Sequence, residues 1–248
     1  MPASFFWQYR IKNPPDEPRS EQRPEQTGNK IALRAFMGRK NFINHTEFPY
    51  HLYARCINRD WFSNDMDKMW ELMTRNLYFM HLAFNVRIHA FVMMSNHFHL
   101  IAATPDGNLS QAMQYFMRET SREITFQAKR INQTYGSRFH RSLIASPLYY
   151  LHAYKYLYRN PVAAGICKRV EDYPYSTLPA LLGNTRMEVP ILDDHNWGSI
   201  TQRELTLSWL NTAPSSDNWE DVRKALRKGV FRLPRRDSRS SPLEDCAL

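Results

Sequence analysis

The sequence predicts an α+β fold: an antiparallel sheet with helices packed on one face. The pattern of apolar residues gives the order strand, helix, strand, strand, helix, strand, helix. Two of those strands are joined by Ser95-Asn96, a pair suited to a tight hairpin. Hairpin-linked strands between helical segments fit a ferredoxin-like arrangement, which leaves one sheet face or edge for a ligand.

The globular part opens near Phe48-Pro49, and Tyr50 to Asn58 reads as the first strand. Leu52, Ala54, Cys56 and Asn58 share one of its faces, with Cys56 as a small core residue. Ser63 can cap a helix whose apolar stripe is Met66, Met69, Trp70, Met73, Leu77 and Met80. Val86 to Met94 and His97 to Ala103 are the hairpin strands. Asn108 or Ser110 starts a helix lined by Leu109, Met113, Phe116, Met117, Thr120 and Ile124. Arg138 to Ile144 reads as the last strand. Ser146-Pro147 then opens a helix through Asn160, which Pro161 ends or follows with a short helix closed by Gly165. Short helices are expected up to Leu182, over Leu205–Leu210 and over Trp219–Lys228, the last carrying Arg223, Lys224, Arg227 and Lys228.

Domain organisation follows from composition. Residues 1–44 read as an extension: Pro14, Pro15, Pro18 and Pro24 alternate with charged residues, a mixture that cannot bury enough apolar surface to order itself. Its apolar start, Phe5-Phe6-Trp7, is a docking candidate. Residues 45–185 read as the globular domain, and residues 186–248 as a basic C-terminal extension with disorder expected from Pro234.

Of the 248 residues, 33 are Lys or Arg and 24 are Asp or Glu, a formal +9. That balance favours a polyanionic partner, nucleic acid above all. Cys56, Cys167 and Cys246 lie far apart without a Cys-x-x-Cys pair, which argues against a zinc finger or a disulfide framework and for a reducing cytoplasm. The N-terminus reads as lacking a signal peptide, and no stretch approaches the roughly 20 apolar residues of a membrane span.

The chemistry centres on two places. In a strand, alternate side chains share a face, so His97 and His99 point one way and Phe98 and Leu100 the other. Two imidazoles about 7 Å apart along one strand face can converge on one metal ion. Five tyrosines fall between Tyr149 and Tyr158. Tyr150, Ala153, Tyr154 and Leu157 form an apolar stripe, whereas His152, Tyr156 and Asn160 form a separate polar line. A phenol is a poor nucleophile at its usual pKa but becomes useful beside a metal that neutralises a phosphodiester. Two histidines under-coordinate such an ion, and Asn160, one turn after Tyr156, can supply an amide oxygen. Tyr154 and Tyr158 are rivals, each about 200° around the helix from Tyr156. Arg118, Arg122, Arg138, Arg141, Lys155 and Arg159 are candidate phosphate contacts.

His97-Phe98-His99 resembles the HUH motif, two histidines around a hydrophobic residue, of single-tyrosine HUH endonucleases. The segment from Tyr149 to Gly165 resembles their nucleophile helix. Asn58-Arg59, Ser95-Asn96-His97, Asn108-Leu109-Ser110, Arg138-Phe139 and Tyr175-Ser176 match the pattern of the REP-associated tyrosine transposases within that group. The resemblance spans about residues 45–185. It implies an HUH endonuclease-like fold with His97 and His99 as metal ligands, Tyr156 as nucleophile and Asn160 completing the site. It also implies Mg²⁺ or Mn²⁺ as cofactor and a 5′-phosphotyrosine intermediate. The implied partner is single-stranded or hairpin DNA, with Asn58 and Arg59 among the DNA-binding residues. A cytoplasmic, nucleoid-associated enzyme, monomer or homodimer, is expected. Two other readings compete. One is a domesticated module that grips structured single-stranded DNA without catalysis. The other is a metal hydrolase without a covalent tyrosine, weakened because no Asp or Glu lies close to His99.

Overall fold

A computed structural model describes residues 44–240, apart from Asn64, Arg130, Asn132, residues 193–196, Gly198 and residues 237–238. The expected N-terminal extension and Cys246 lie outside the described residues.

Four strands form one antiparallel sheet: β1 (Tyr50–Arg55), β2 (Arg87–Met93), β3 (His97–Ala103) and β4 (His140–Leu143). Their spatial order is β2-β3-β1-β4. With α1 (Met66–Phe84) between β1 and β2, and α2 (Leu109–Gln127) between β3 and β4, this is the ferredoxin-like topology. Two central strands are thus separated in sequence by a helix and an edge strand. Each of them brings one face to the core and the other to the site.

Register assigns the faces. Leu52 lies opposite Leu100, and Ala54 opposite Phe98. These residues, with Phe91 and Met93 of β2, meet α1 and α2. Phe98 is wholly buried, with its ring 5.3 Å from that of Phe116. The stripe Met69, Met73, Leu77 and Met80 of α1 is fully buried there too. Burying each such side chain stabilises the fold by about 1.5–3 kcal/mol. The N-cap of α1 is Asp65, which accepts from the amide of Asp67 at 2.8 Å, rather than the expected Ser63. Both residue types cap well, and the helix begins two residues later than the serine would allow.

The second sheet face is covered as well, unlike the expectation of helices on one face. Ala90, Val92, Ile101 and Ile144 pack against α3 (Pro147–Ala163) through Ala153, Tyr154, Leu157 and Tyr158. The rest of α3 is flanked by α5 (Ile200–Asn211) and α6 (Ser216–Ala225), after the short α4 (Leu178–Leu181). Trp209, Leu210, Val222, Ala225, Leu226 and Phe231 join the same core. Residues 200–233 therefore add to the core on this face. Beyond them, Arg235–Arg236 pairs with Arg239–Ser240 as a two-stranded ribbon where disorder was expected.

Pro161 lies inside α3 and does not end it. A proline removes the hydrogen bond to the carbonyl four residues back, here Leu157. So near the C-terminus, little helix remains to be disturbed. The chain leaves through Gly165 at φ +71°, and the amide of Ile166 reaches back to the Pro161 carbonyl at 3.0 Å.

Phe98→Ala should lower stability by about 3–5 kcal/mol, because the cavity opens between the sheet and α2. Urea unfolding measures this, and a loss under about 1 kcal/mol would contradict the packing described.

Candidate active site

On the second sheet face, β1 presents His51, Tyr53 and Arg55, and β3 presents His97 and His99. Antiparallel pairing sets Tyr53 opposite His99 and Arg55 opposite His97. His140 of β4 pairs with Tyr53, and their rings stack at 4.5 Å. The His97 and His99 ring centres are 5.0 Å apart.

Neighbours orient both imidazoles. The Asn96 amide nitrogen donates to the Arg59 carbonyl at 2.9 Å, which turns its Oδ1 towards His97. His97 Nδ1–H donates to that oxygen at 2.6 Å, so the lone pair of His97 lies on Nε2. His99 Nδ1 is 2.9 Å from Nε2 of His51. With His99 as donor in that bond, its own Nε2 also carries a lone pair. Burial holds His51 at a pKa of about 3. Burial, and then the Arg55 guanidinium, hold His97 at about 3. Burial and the adjacent His97, His51 and Arg55 push His99 well below its ordinary value. All three rings are neutral at pH 7, the form that binds a metal.

α3 lays one tyrosine over this face. The Tyr156 ring is 5.7 Å from that of His99 and 6.3 Å from that of His51, edge-on to both. Tyr154 and Tyr158 point into the core and are both 1% exposed. The hydroxyl of Tyr154 accepts from Trp197 Nε1 at 2.9 Å, and that of Tyr158 pairs with the Thr177 hydroxyl at 2.6 Å. Burial raises the Tyr156 phenol pKa, while an Asn160 hydrogen bond and the charges of Arg223 and Arg227 oppose that rise. Asn160 donates its amide nitrogen to the Tyr156 carbonyl at 3.0 Å.

These residues line a cleft of about 610 Å³. Arg55, Arg59, Arg223 and Arg227 line it, with no Asp or Glu among the lining residues. Such a wall suits an anion with several phosphate oxygens. Among the described residues no group of three His, Cys, Asp or Glu gathers as a metal cage. A metal here would have to draw on His97, His99 and a neutral oxygen such as that of Asn160.

The other expected DNA contacts are scattered. Asn58 and Arg59 line the cleft, and exposed Arg138 follows Ser137 at its rim. Arg141 pairs with Leu52 and so belongs to the opposite sheet face. Arg118 and Arg122 lie on α2, beyond that opposite face, where both pair with Glu119. Lys155 is buried, with Nζ 5.2 Å from the Trp209 ring centre. Arg159 is buried and donates to the carbonyls of Leu210 and Asn211 at 2.9 and 2.7 Å, which fastens α5 to α3. Sequence reasoning missed His51, Tyr53, Arg55 and His140. Alternation along the first strand carried the signal, since His51, Tyr53 and Arg55 are every second residue.

Residues 44–148, which include both histidines of β3, match the family model "Transposase IS200 like". That segment is similar to the IS200-like transposases. The matched region stops at Leu148, so Tyr156, Asn160, α5 and α6 follow it. A REP-associated tyrosine transposase of Escherichia coli (strain K12) is 32% identical over 90 residues, or 36% of this chain and 53% of that protein. The chain thus spans about half the length of this curated relative. A solved structure of a REP-associated tyrosine transposase bound to a REP hairpin matches at a TM-score of 0.50 and 21% identity. That match covers 64% of this chain and 96% of the other, and it supports the α+β fold.

Arg159→Leu should cost about 1.5–3 kcal/mol, as the Leu210 and Asn211 carbonyls lose a charged donor. It should leave the salt dependence of any DNA binding unchanged. A flatter salt dependence would return Arg159 to the phosphate contacts.

Proposed function

We propose that this protein is a single-stranded DNA endonuclease and strand transferase. It acts on hairpin-forming DNA through a 5′-phosphotyrosine at Tyr156. The observation that carries the reading is the cleft: the Tyr156 phenol of α3 lies over His99 and His51, in a cleft that His97 also lines, ringed by arginines and free of lining acids. The structurally similar REP-associated tyrosine transposase is bound to a REP hairpin, which supports a folded single strand as the partner.

His97 and His99 through Nε2, and Asn160 through its amide oxygen, would hold Mg²⁺ or Mn²⁺. When bound, the ion would neutralise charge on the scissile phosphate and polarise its phosphorus–oxygen bonds. Within this chain, Asn96 and His51 orient the two imidazoles. The Tyr156 oxygen attacks phosphorus and releases its phenolic proton to water in the open cleft. A bond from that oxygen to phosphorus forms, the bond from phosphorus to the 3′-oxygen breaks, and the 3′-oxygen leaves as a hydroxyl after taking up a proton. A later 3′-hydroxyl reverses the step, and no ATP is consumed because the phosphodiester bond energy is kept in the phosphotyrosine. Arg55 and Arg59 hold the backbone on one side of the cleft. A monomer or a homodimer fits this reading, and a DNA target would bring it to the nucleoid.

Tyr156→Phe should abolish the covalent adduct with a labelled hairpin pool in Mg²⁺ or Mn²⁺, while binding stays within about twofold, a change of about 0.4 kcal/mol. Denaturing gels read the adduct, and an undiminished adduct in the variant would refute the nucleophile. Tight binding by wild type with no adduct in either metal would instead favour a binding module.

A further inference from the structure

We propose that α6 forms a working wall of this site: Arg223 and Arg227 grip the phosphate beside Tyr156, and Trp219 holds the Tyr156 ring for attack. The inference rests on the strand-cleaving function above. It concerns a helix that lies beyond the segment matching the transposase family.

Trp219, Arg223 and Arg227 are spaced by four residues, so they fall along one side of α6 and the turn after it. All three line the cleft. The Trp219 ring lies 4.6 Å from the Tyr156 ring, tilted by 34°. Tyr156 is thus held between an indole and the edge-on contacts of His51 and His99. Such a ring has few rotamers open to it, which is what positions a nucleophile. The adjoining face of the helix is fixed: Val222, Ala225 and Leu226 are buried in the core shared with α3. Ser215 caps it, accepting from the Asn218 amide at 3.2 Å. The support is therefore a packed helix rather than a loose tail.

Charge points the same way. Arg223 and Arg227 act on Tyr156, and Arg227 and Arg59 both act on Arg55. The cations of β1 and α6 share one field across the cleft. Arg223 also pairs with Glu220 at 2.9 Å, but both side chains are 44% exposed, and such a pair holds its arginine only weakly. Like charges gathered across a cleft repel one another, and a phosphodiester between them relieves that repulsion.

The test uses the full chain in two assays. Binding of a fluorescein-labelled hairpin-forming DNA pool with single-stranded flanks is titrated across KCl concentrations. Adduct formation is timed on a saturating hairpin-forming DNA pool with Mn²⁺. Arg223→Gln with Arg227→Gln should flatten the slope of log K against log salt by about 1.4, two lost contacts to a single strand. Trp219→Ala should leave that slope unchanged and slow adduct formation on the order of 100-fold. Trp219→Phe, which keeps a ring and the packing, should recover most of the rate. An unchanged slope in the arginine variant, or an unchanged adduct rate in Trp219→Ala, overturns the corresponding half of the proposal. If wild type forms the adduct while these variants match it, the inference fails alone. If wild type forms no adduct on the hairpin-forming pool, the DNA-cleaving function fails and takes the inference with it.

Discussion

The register of β3 against β1 is the constraint on which the site depends. Pairing Tyr53 with His99 and Arg55 with His97 puts two histidines, a tyrosine and an arginine on one face. The same pairing puts Leu52, Ala54, Phe98 and Leu100 on the other. A slip of one residue would exchange the faces and send imidazoles into the α1–α2 core. Burying Phe98 and Leu100, at 0% exposed, resists that slip. Core packing on one side of the sheet thereby sets the geometry of the chemistry on the other.

α3 meets this sheet with two kinds of side chain. Tyr154 and Tyr158 go into the core, each with its hydroxyl bonded to another side chain. Tyr156 lies on the far side of the helix, over the histidines. The residues beside it in sequence serve structure: Lys155 rests over Trp209, and Arg159 fastens the end of α5. One helix thus anchors the second layer and presents the phenol, and the C-terminal helices steady it from behind.

Much of this was legible in the sequence because it follows local periodicity. The alternation of His97, Phe98, His99 and Leu100 gave the two faces. The spacing of His152, Tyr156 and Asn160 separated the polar line of α3 from its apolar stripe. What was not legible depends on partners distant in sequence. Arg118 and Arg122 look like a basic stripe until Glu119 is seen to pair with both. Lys155 and Arg159 look solvated until α5 covers them. His51 offered only one histidine on a strand, and its partner His99 is 48 residues away. The place of Trp219 against Tyr156 depends on how α6 packs on α3, which no local pattern encodes. Pro161 misled in the opposite direction, because a proline this close to a helix end leaves the helix intact.

The central claim is that Tyr156, of the five tyrosines on α3, is the one presented to the histidine strand. Mapping the attachment site tests it most directly. The covalent complex with hairpin DNA is digested with nuclease and trypsin, and the peptide from Tyr156 to Arg159 is fragmented in a mass spectrometer. The account predicts a nucleotide phosphate on Tyr156, with Tyr158 unmodified. A nucleotide on Tyr158, or on Tyr154 in the preceding peptide, would contradict it, since both hydroxyls are bonded inside the core.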